Sequence, residues 1–290
     1  MCGLFGKTRQ AFYDKNIRAV IRLNDEYFVL ELVLLIRREM PFIGLRKLYH
    51  LLEPEMHQKA IKMGRDKLYS LLLVHGLMLK PSKRYHQTTF SNHKLRYYPN
   101  LIVDLIPDSA DQLWVSDITY LRVGNTFVYL SLITDAYSKQ IVGYNLHEDL
   151  STEGCLMSLR KALNIRKNFT ELIHHSDRGI QYCSSEYVQL LHRNNIKISM
   201  SFKASPHQNA IAERVNGILK YELGLKEVFL NLWEASQAVD SAVRIYNKKR
   251  PHASCDYLTP FEAHDQIGEL TKRWKRVIKT IKKNEGEIKL

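Results

Sequence analysis

Cysteine is scarce in this sequence, and its few copies are not arranged in pairs. The 290 residues include only Cys2, Cys155, Cys183 and Cys255, and no Cys-x-x-Cys motif occurs. A disulfide-stabilised scaffold is therefore excluded, and isolated thiols suit a reducing compartment. No secretory signal is visible in the sequence, so we expect a cytoplasmic protein.

Long hydrophobic runs and a glycine-rich phosphate loop are also missing. The longest apolar segments are residues 28–36, interrupted by Glu31, and residues 71–79, interrupted by His75. Both are too short to span a bilayer, so no membrane association is expected. Without a phosphate loop, nucleotide hydrolysis is not expected either.

Zinc ligands of the usual kind are lacking in the N-terminal region. Its five histidines have only Cys2 as a companion thiol, whereas structural zinc sites combine several Cys and His residues at short spacings. The sequence therefore predicts no zinc site here.

Basic residues are abundant, and they lie at the two ends of the sequence. The chain has 43 Lys+Arg against 30 Asp+Glu, a net charge of +13. Residues 1–100 carry +10, residues 101–270 carry −3 and residues 271–290 carry +6. This balance predicts attraction to polyanions. Because 45% of the residues are hydrophobic, the chain is folded rather than disordered.

Residues 1–80 have the pattern of short helices and are predicted to form a helix-turn-helix-like DNA-binding region. Residues 27–38 are apolar around the whole helix circumference, which predicts a buried helix. Further helical spacing follows at residues 43–52 and 67–75. The basic residues predicted to face DNA are Arg46, Lys47, Arg65 and Lys67. A plain basic helical bundle is the alternative. Residues 81–100 are predicted to be a basic linker.

Residues 101–270 alternate between strand and helix patterns. Strands are predicted at residues 113–121, 127–134, 140–146, 171–175 and 197–202, and helices at 151–165, 184–192 and 209–223. Gly124-Asn125 marks a hairpin turn between the first two strands. This order predicts an α/β fold with a mixed five-stranded sheet flanked by helices.

Three acidic residues occur in distinctive contexts within this region. Asp117 lies inside an apolar strand, Asp177 at a strand end, and Glu213 on a helix after a polar loop. A carboxylate within an apolar strand is costly unless it is paired or holds a cation. The 59 and 35 residues that separate the three acids are weak evidence alone, and the local context carries the interpretation.

The motifs around these acids resemble those of the DDE transposases and retroviral integrases, which share an RNase H-like core. The similarity is strongest to the second-frame (OrfB-type) products of bacterial insertion sequences that make their transposase by frameshifting. The segments that carry it are 43–48 through 76–77, 114–120, 175–182, 205–217, 246–252 and 259–260. The missing zinc site departs from the retroviral integrases and favours the insertion-sequence proteins.

This resemblance implies that Asp117, Asp177 and Glu213 form a catalytic triad that binds two Mg²⁺ ions, with Mn²⁺ as a substitute. Asp117 would hold both ions, and each of the other two acids would hold one. Carboxylate ligands fit these hard cations. The implied reaction is cleavage at the element end, followed by transfer of the freed 3′-OH to target DNA through a circular intermediate. A movable helix carrying Glu213 would complete the site when DNA binds.

The same resemblance suggests residues that contact DNA near the triad. Lys220 lies seven residues after Glu213, two helical turns along the same face. Asn216 is a weaker candidate for that surface, and Arg178 is a candidate phosphate contact. A solvated surface lysine is the alternative for Lys220.

Other residues are interpreted as structural. His175 shares the strand face of Asp177, but a lone histidine there is more often structural than catalytic. Asp135 is predicted to cap a turn rather than bind metal. Trp114 and Tyr120 are predicted to pack in the core.

The implied partners are the terminal repeats of an insertion sequence, target DNA, and a first-frame transposase protein or fusion. We expect a homo-oligomer on DNA, because two ends must be joined, and association with the nucleoid. No sustained heptad is apparent, so this chain alone should bind element ends weakly. The tail at residues 271–290 is predicted to add phosphate contacts or to form an amphipathic surface helix.

Two other functions fit the same basic surface. The first is a non-catalytic DNA-binding regulator, which the three retained acids disfavour. The second is an RNase H-type nuclease, which the third motif and the Arg250-Pro251-His252 segment disfavour.

Overall fold

The first three helices form the N-terminal region of a computed structural model, which describes residues 8–79, 96–166, 171–202 and 209–273. They are α1 (Arg9–Glu39), α2 (Leu45–Gln58) and α3 (Arg65–Val74). The side chain of Thr8 caps α1 by accepting a hydrogen bond from the amide of Ala11. In α2, Leu48, Leu52 and Met56 are buried at intervals of four residues, so one face of this helix packs inward.

The predicted burial of residues 27–38 on all sides is wrong. These residues belong to the 31-residue α1, whose buried residues are Val29, Leu30 and Val33. Tyr27, Leu34 and Leu35 are each more than half exposed. Only one side of α1 packs on the rest of the protein, so its apolar circumference does not mean full burial.

Within the described residues, the sheet contains five main strands and a short sixth. They are β1 (Leu113–Val123), β2 (Thr126–Asp135), β3 (Ile141–His147), β4 (Ile173–Ser176), β5 (Lys197–Met200) and β6 (Val228–Phe229). The main order is β3-β2-β1-β4-β5, and β6 pairs with the far end of β1. The first three strands are antiparallel, whereas β4 runs parallel to both β1 and β5. The predicted mixed sheet and RNase H-like class are confirmed, but the two-residue β6 was not predicted.

Helices cover both faces of this sheet. They are α4 (Thr152–Ile165), α5 (Ser185–Arg193), α6 (Ala210–Tyr221), α7 (Leu232–Lys248) and α8 (Pro260–His264). One face carries α4 and α5, which share a hydrophobic cluster with Trp114 and Ile133. The other carries α6 and α7, which share a cluster with Leu121, Leu130 and Leu132. Alternate residues of β1 therefore enter two different cores.

The N-terminal helices pack directly on the α/β part of the chain. Leu52 of α2 and Leu219 of α6 belong to the same hydrophobic cluster. His50 stacks on Tyr257, with ring centroids 4.7 Å apart. The predicted domain limits at residues 80 and 101 stay predictions, but a shared core joins the two regions.

Parts of the predicted linker and tail, residues 81–95 and 274–290, lie outside the described residues. Among the helices of the described ranges, none is long and apolar enough to cross a membrane.

Candidate active site

The two aspartates of the predicted triad lie beside each other, Asp117 within β1 and Asp177 directly after the parallel strand β4. In the parallel pairing of β1 with β4, Val115 lies opposite His175. Asp117 and Asp177 are each two residues beyond that pair. Residues two apart share a strand face, and neighbouring strands lie about 4.8 Å apart. The register therefore brings both carboxylates close together on the same face of the sheet.

Helix α6 lies on that face and is attached to the strand of Asp117 at two points. The side-chain amide of Asn209 donates to the carbonyl of Ser116 across 2.9 Å. Two turns further, the amide of Asn216 donates to Oδ2 of Asp117 across 2.7 Å. Ala212 packs with Val115 in a small apolar cluster. These contacts place Glu213, which is exposed on the first turn of α6, next to the aspartates.

The ionisation of Asp117 is strongly disturbed by its surroundings. Burial raises the pKa of Asp117 to about 7, and the charges of Asp177 and Glu213 add to this rise. The hydrogen bond from Asn216 opposes it. A carboxylate that is difficult to ionise because it is buried and lies near other carboxylates is a place where a cation would be stabilised.

The turn after β4 holds the second aspartate. The backbone amide of Gly179 donates to Oδ1 of Asp177 across 2.9 Å. A Cβ added at Gly179 would lie 3.0 Å from the same oxygen. A larger residue at position 179 would therefore crowd the carboxylate.

Lys220 lies at the edge of this site. Its ammonium group is 4.0 Å from the centroid of the Tyr120 ring, a cation–π contact. Burial lowers the pKa of Lys220 to about 8, and the charge of Asp117 opposes the decrease. Tyr120 is 36% exposed and forms part of this surface, so its predicted core position is wrong, whereas Trp114 is fully buried as predicted.

Two of the candidate DNA contacts do not lie where they were predicted. Asn216 is buried and its amide is directed to Asp117, so it orients a carboxylate and does not lie on the open surface. Lys47 is not on an outer face, because its ammonium group pairs with the carboxylate of Glu222 at 2.9 Å in a largely buried position. Both positions depend on partners far away in sequence.

The other candidate DNA contacts keep accessible positions. Arg46, Arg65 and Lys67 are exposed on α2 and α3. Arg178 is half-buried, donates from Nε to the carbonyl of Ser201 across 2.9 Å, and lies over the ring of Tyr97. Their contacts with DNA stay predictions.

His175 and Asp135 make contacts that are typical of structural residues. His175 is buried and its Nδ1 is 2.8 Å from the hydroxyl of Ser199. Burial lowers its pKa to about 4, so it is neutral at pH 7. Oδ1 of Asp135 accepts hydrogen bonds from the amides of Tyr137 and Ser138, which confirms the predicted turn cap.

Sequence reasoning did not identify the role of Asn209. An asparagine just before a helix indicates a helix cap, but the side chain of Asn209 makes no cap hydrogen bond and binds a carbonyl 93 residues away. No local pattern could have revealed that partner.

The carboxylate oxygens suit a hard divalent cation. Within the described ranges, no three His, Cys, Asp or Glu side chains converge closely enough to form a complete metal site. Glu213 is exposed near the two aspartates but does not close such a site with them.

Known proteins match the chain along most of its length. An integrase core domain model matches residues 107–206, and a second integrase core model matches residues 194–260. The "Insertion element IS600 uncharacterized 31 kDa protein" of Shigella sonnei is 33% identical over 264 residues, covering 90% of this chain and 96% of that protein. "Transposase InsF for insertion sequence IS3fB" of Escherichia coli K12 is 32% identical over 217 residues, 74% of this chain and 75% of that protein.

The chain belongs to the IS3 family of transposases. It is thus a DDE-type polynucleotidyl transferase with an integrase core, as the motifs implied. Among solved structures, the HTLV-2 integrase catalytic core domain aligns with 54% of this IS3-family chain and 97% of its own, at 18% identity and a TM-score of 0.42.

Proposed function

We propose that this protein cleaves DNA at the ends of its insertion element and joins the freed 3′-OH to a target phosphodiester. The observation that carries the proposal is the placement of Asp117 within β1 beside Asp177, which directly follows the parallel strand β4, on the sheet face covered by the helix that bears Glu213. This arrangement collects oxygen ligands for hard cations at one place on the protein.

Asp117, Asp177 and Glu213 would hold two Mg²⁺ ions, with Mn²⁺ as a substitute. Bound there, such ions would stabilise the attacking and leaving oxygens of an in-line displacement. Asn216 keeps Oδ2 of Asp117 oriented, and the amide of Gly179 orients Asp177. Because Glu213 is exposed on the first turn of α6, its approach to the aspartates would complete the site when DNA is in place.

Two displacements at phosphorus account for the products. In the first, water attacks the phosphodiester at the element end, forming a new P–O bond and releasing a 3′-OH. In the second, that hydroxyl attacks a target phosphodiester, the target 3′-oxygen leaves, and the attacking hydroxyl's proton is passed to it. The number of phosphodiester bonds is unchanged in this second step, so no nucleotide cofactor is needed.

Lys220 would bind the phosphate next to the cleavage point, and its half-buried position near Asp117 supports this role. Arg46, Arg65 and Lys67 are exposed on the N-terminal helices and would add contacts along the duplex. At least two protomers would act together on two ends, with a first-frame protein supplying further DNA recognition.

Strand joining tests this proposal. Supercoiled DNA bearing two element ends is incubated with Mg²⁺, the first-frame protein, and either wild type, Asp177→Asn or Asp240→Asn. Asp240 is an exposed acid on α7 that accepts a hydrogen bond from the hydroxyl of Tyr144. It therefore serves as the matched control. We expect joined products with wild type and Asp240→Asn but not with Asp177→Asn. Equal joining by Asp177→Asn would end the catalytic assignment. DNA binding without joining by wild type would favour the regulator, and degradation of RNA–DNA hybrids alone would favour the nuclease.

A further inference from the structure

The C-terminal end of α6 is held by a compact ion cluster that joins three distant parts of the chain. Glu222 follows the last residue of α6. Its two carboxylate oxygens accept from Nζ of Lys47 at 2.9 and 3.0 Å. They also accept from Nε and Nη2 of Arg250 at 3.0 and 2.9 Å. The carbonyl of Glu222 accepts from the backbone amide of Phe42 across 3.2 Å.

The cluster is well enclosed and electrostatically matched to the helix end. The Arg250 side chain is 1% exposed, and the Lys47 and Glu222 side chains are 18% and 14% exposed. Burial alone would raise the pKa of Glu222, but Arg250 and Lys47 outweigh it and lower the pKa, so the carboxylate stays ionised. Two cations at the C-terminal end of a helix also oppose its partial negative charge.

Helix α6 is thereby attached at both ends to different elements. Asn209 and Asn216 fasten its first half to β1. Glu222 fastens its end to α2 through Lys47 and to the segment after α7 through Arg250. Glu213 lies nine residues before Glu222, about 13.5 Å along a helix that rises 1.5 Å per residue. A displacement of α2 would therefore shift the helix that carries Glu213.

We propose that Glu222, held by Lys47 and Arg250, is a positioning residue that sets the placement of Glu213 and couples it to the N-terminal helices. This inference rests on the proposed function of Glu213. It also gives the Arg250-Pro251-His252 motif a physical role, because Arg250 is the cluster's most deeply buried member. DNA bound by the exposed Arg46 on α2 would act on α6 through the adjacent Lys47.

Lys47→Met is the informative substitution, since it removes the ionic connection between Glu222 and α2 but leaves the ion pair of Glu222 with Arg250. Lys249→Met is the matched control. Lys249 also joins the N-terminal helices to the segment after α7, because its ammonium group donates to the Glu39 carboxylate across 2.7 Å. This pair is exposed and includes no residue of α6. Lys47→Arg retains the charge and should restore wild-type behaviour.

Two measurements are made on the full chain for each variant. Strand joining is titrated with Mg²⁺, and hydrogen exchange is followed for the amides of residues 210–219. For Lys47→Met we expect a half-saturating Mg²⁺ concentration about 3–10-fold higher than in wild type, which is the effect of a weakened coupling. Faster exchange in α6 should accompany it. End-DNA affinity without Mg²⁺ and its salt dependence should be unchanged. Loss of a direct phosphate contact would instead reduce the salt slope by about one.

Equal Mg²⁺ dependence and equal α6 exchange in Lys47→Met and Lys249→Met would overturn the inference. A loss of DNA affinity without either change would make Lys47 a DNA contact and would also overturn it. If Lys47→Met does not fold, the shorter polar variant Lys47→Gln is measured in the same way. Should wild type join no strands, the proposed function fails, and the exchange data still decide whether the cluster holds α6.

Discussion

The side-chain amide of Asn216 donates a hydrogen bond to Oδ2 of Asp117 across 2.7 Å. The two residues are 99 positions apart in sequence, and their contact joins α6 to the central strand of the sheet. A hydrogen bond to the ionised form of a carboxylate lowers its pKa. Asn216 thus keeps Asp117 easier to ionise than burial and two neighbouring acids would otherwise allow.

Replacing Asn216 with leucine should shift the acid limb of the pH–activity profile to higher pH. A hydrogen bond to a charged group contributes about 1.5–3 kcal/mol, and 1.36 kcal/mol corresponds to roughly one pKa unit. We therefore expect the midpoint of the limb to rise by about one pH unit, with joining at pH 7 reduced and largely recovered near pH 8.5. Asn194→Ala, at the exposed end of α5, should keep the wild-type profile. An unshifted profile in Asn216→Leu would contradict the role given to this contact.

Asp117→Asn should stabilise the metal-free protein at pH 8 while abolishing joining. The pKa of Asp117 is raised from 3.8 to about 7 in the folded protein. The folded state therefore retains this proton more strongly than the unfolded chain, and stability decreases as the pH rises from about 4 to 7. Above pH 7 the folded protein bears the full cost of ionising this buried carboxylate, and a neutral asparagine removes that cost.

Thermal unfolding in EDTA measures this effect at pH 8 and at pH 5. We expect the variant's Tm at pH 8 to exceed that of wild type by about 3 °C or more, given roughly 2–4 °C per kcal/mol for domains of this size. The difference should shrink at pH 5. Added Mg²⁺ should raise the Tm of wild type only. Asp149→Asn, on an exposed loop, is the control, and a less stable Asp117→Asn at pH 8 would contradict the prediction.

Lys220 should make the binding of DNA ends depend on pH. Burial lowers its pKa to about 8, so the ammonium group is charged at pH 7 and mostly neutral at pH 9. A neutral amine no longer attracts phosphate, so end-DNA affinity should fall several-fold across this range. Fluorescence titrations at fixed salt measure the affinity. Lys220→Arg, which stays charged, should remove most of the dependence, and a wild-type pH response that persists in Lys220→Arg would assign the effect to another group.

The α/β core was predictable because its signals are local. The predicted helix at residues 151–165 and the hairpin turn at Gly124-Asn125 agree with α4 and with the break between β1 and β2. Alternating burial and turn residues determine such elements within a few positions. The acids of the site could be singled out for the same reason, since a carboxylate within an apolar strand is conspicuous on its own.

The parts that failed depend on partners far away in the chain. Lys47 has the appearance of an outer-face cation in the sequence, and only Glu222, 175 residues later, makes it a buried one. The apolar surface of α1 could not be assigned to inside or outside without knowing that a single side is covered. The two-residue β6 is too short for any periodic signal.

Gly143→Ala should destabilise the protein, whereas Gly217→Ala should not. A Cβ at Gly143 in β3 would lie 2.2 Å from the carbonyl of Ser158 in α4, so the helix would have to move away from the sheet. Overpacking of this kind costs about 1–3 kcal/mol. Nothing lies within 4 Å of a Cβ at Gly217 in α6, and alanine in a helix is favoured over glycine by about 0.5–1 kcal/mol. Urea unfolding measures both, and an equal change in the two variants would contradict the close contact between β3 and α4.

Asp135→Ala should cost stability without changing the Mg²⁺ requirement of the folded enzyme. The buried carboxylate accepts hydrogen bonds from the amides of Asp111, Tyr137 and Ser138 at 2.8–3.1 Å. Each donor left unpaired in the interior costs about 1–3 kcal/mol, so we expect a loss of about 3 kcal/mol or more. Urea unfolding measures the loss, and joining by the folded fraction is titrated with Mg²⁺. A half-saturating Mg²⁺ concentration equal to that of wild type is expected, because Asp135 caps the turn after β2 and lies outside the Asp117–Asp177 pair. A strongly raised Mg²⁺ requirement in Asp135→Ala would instead make this aspartate part of the metal site.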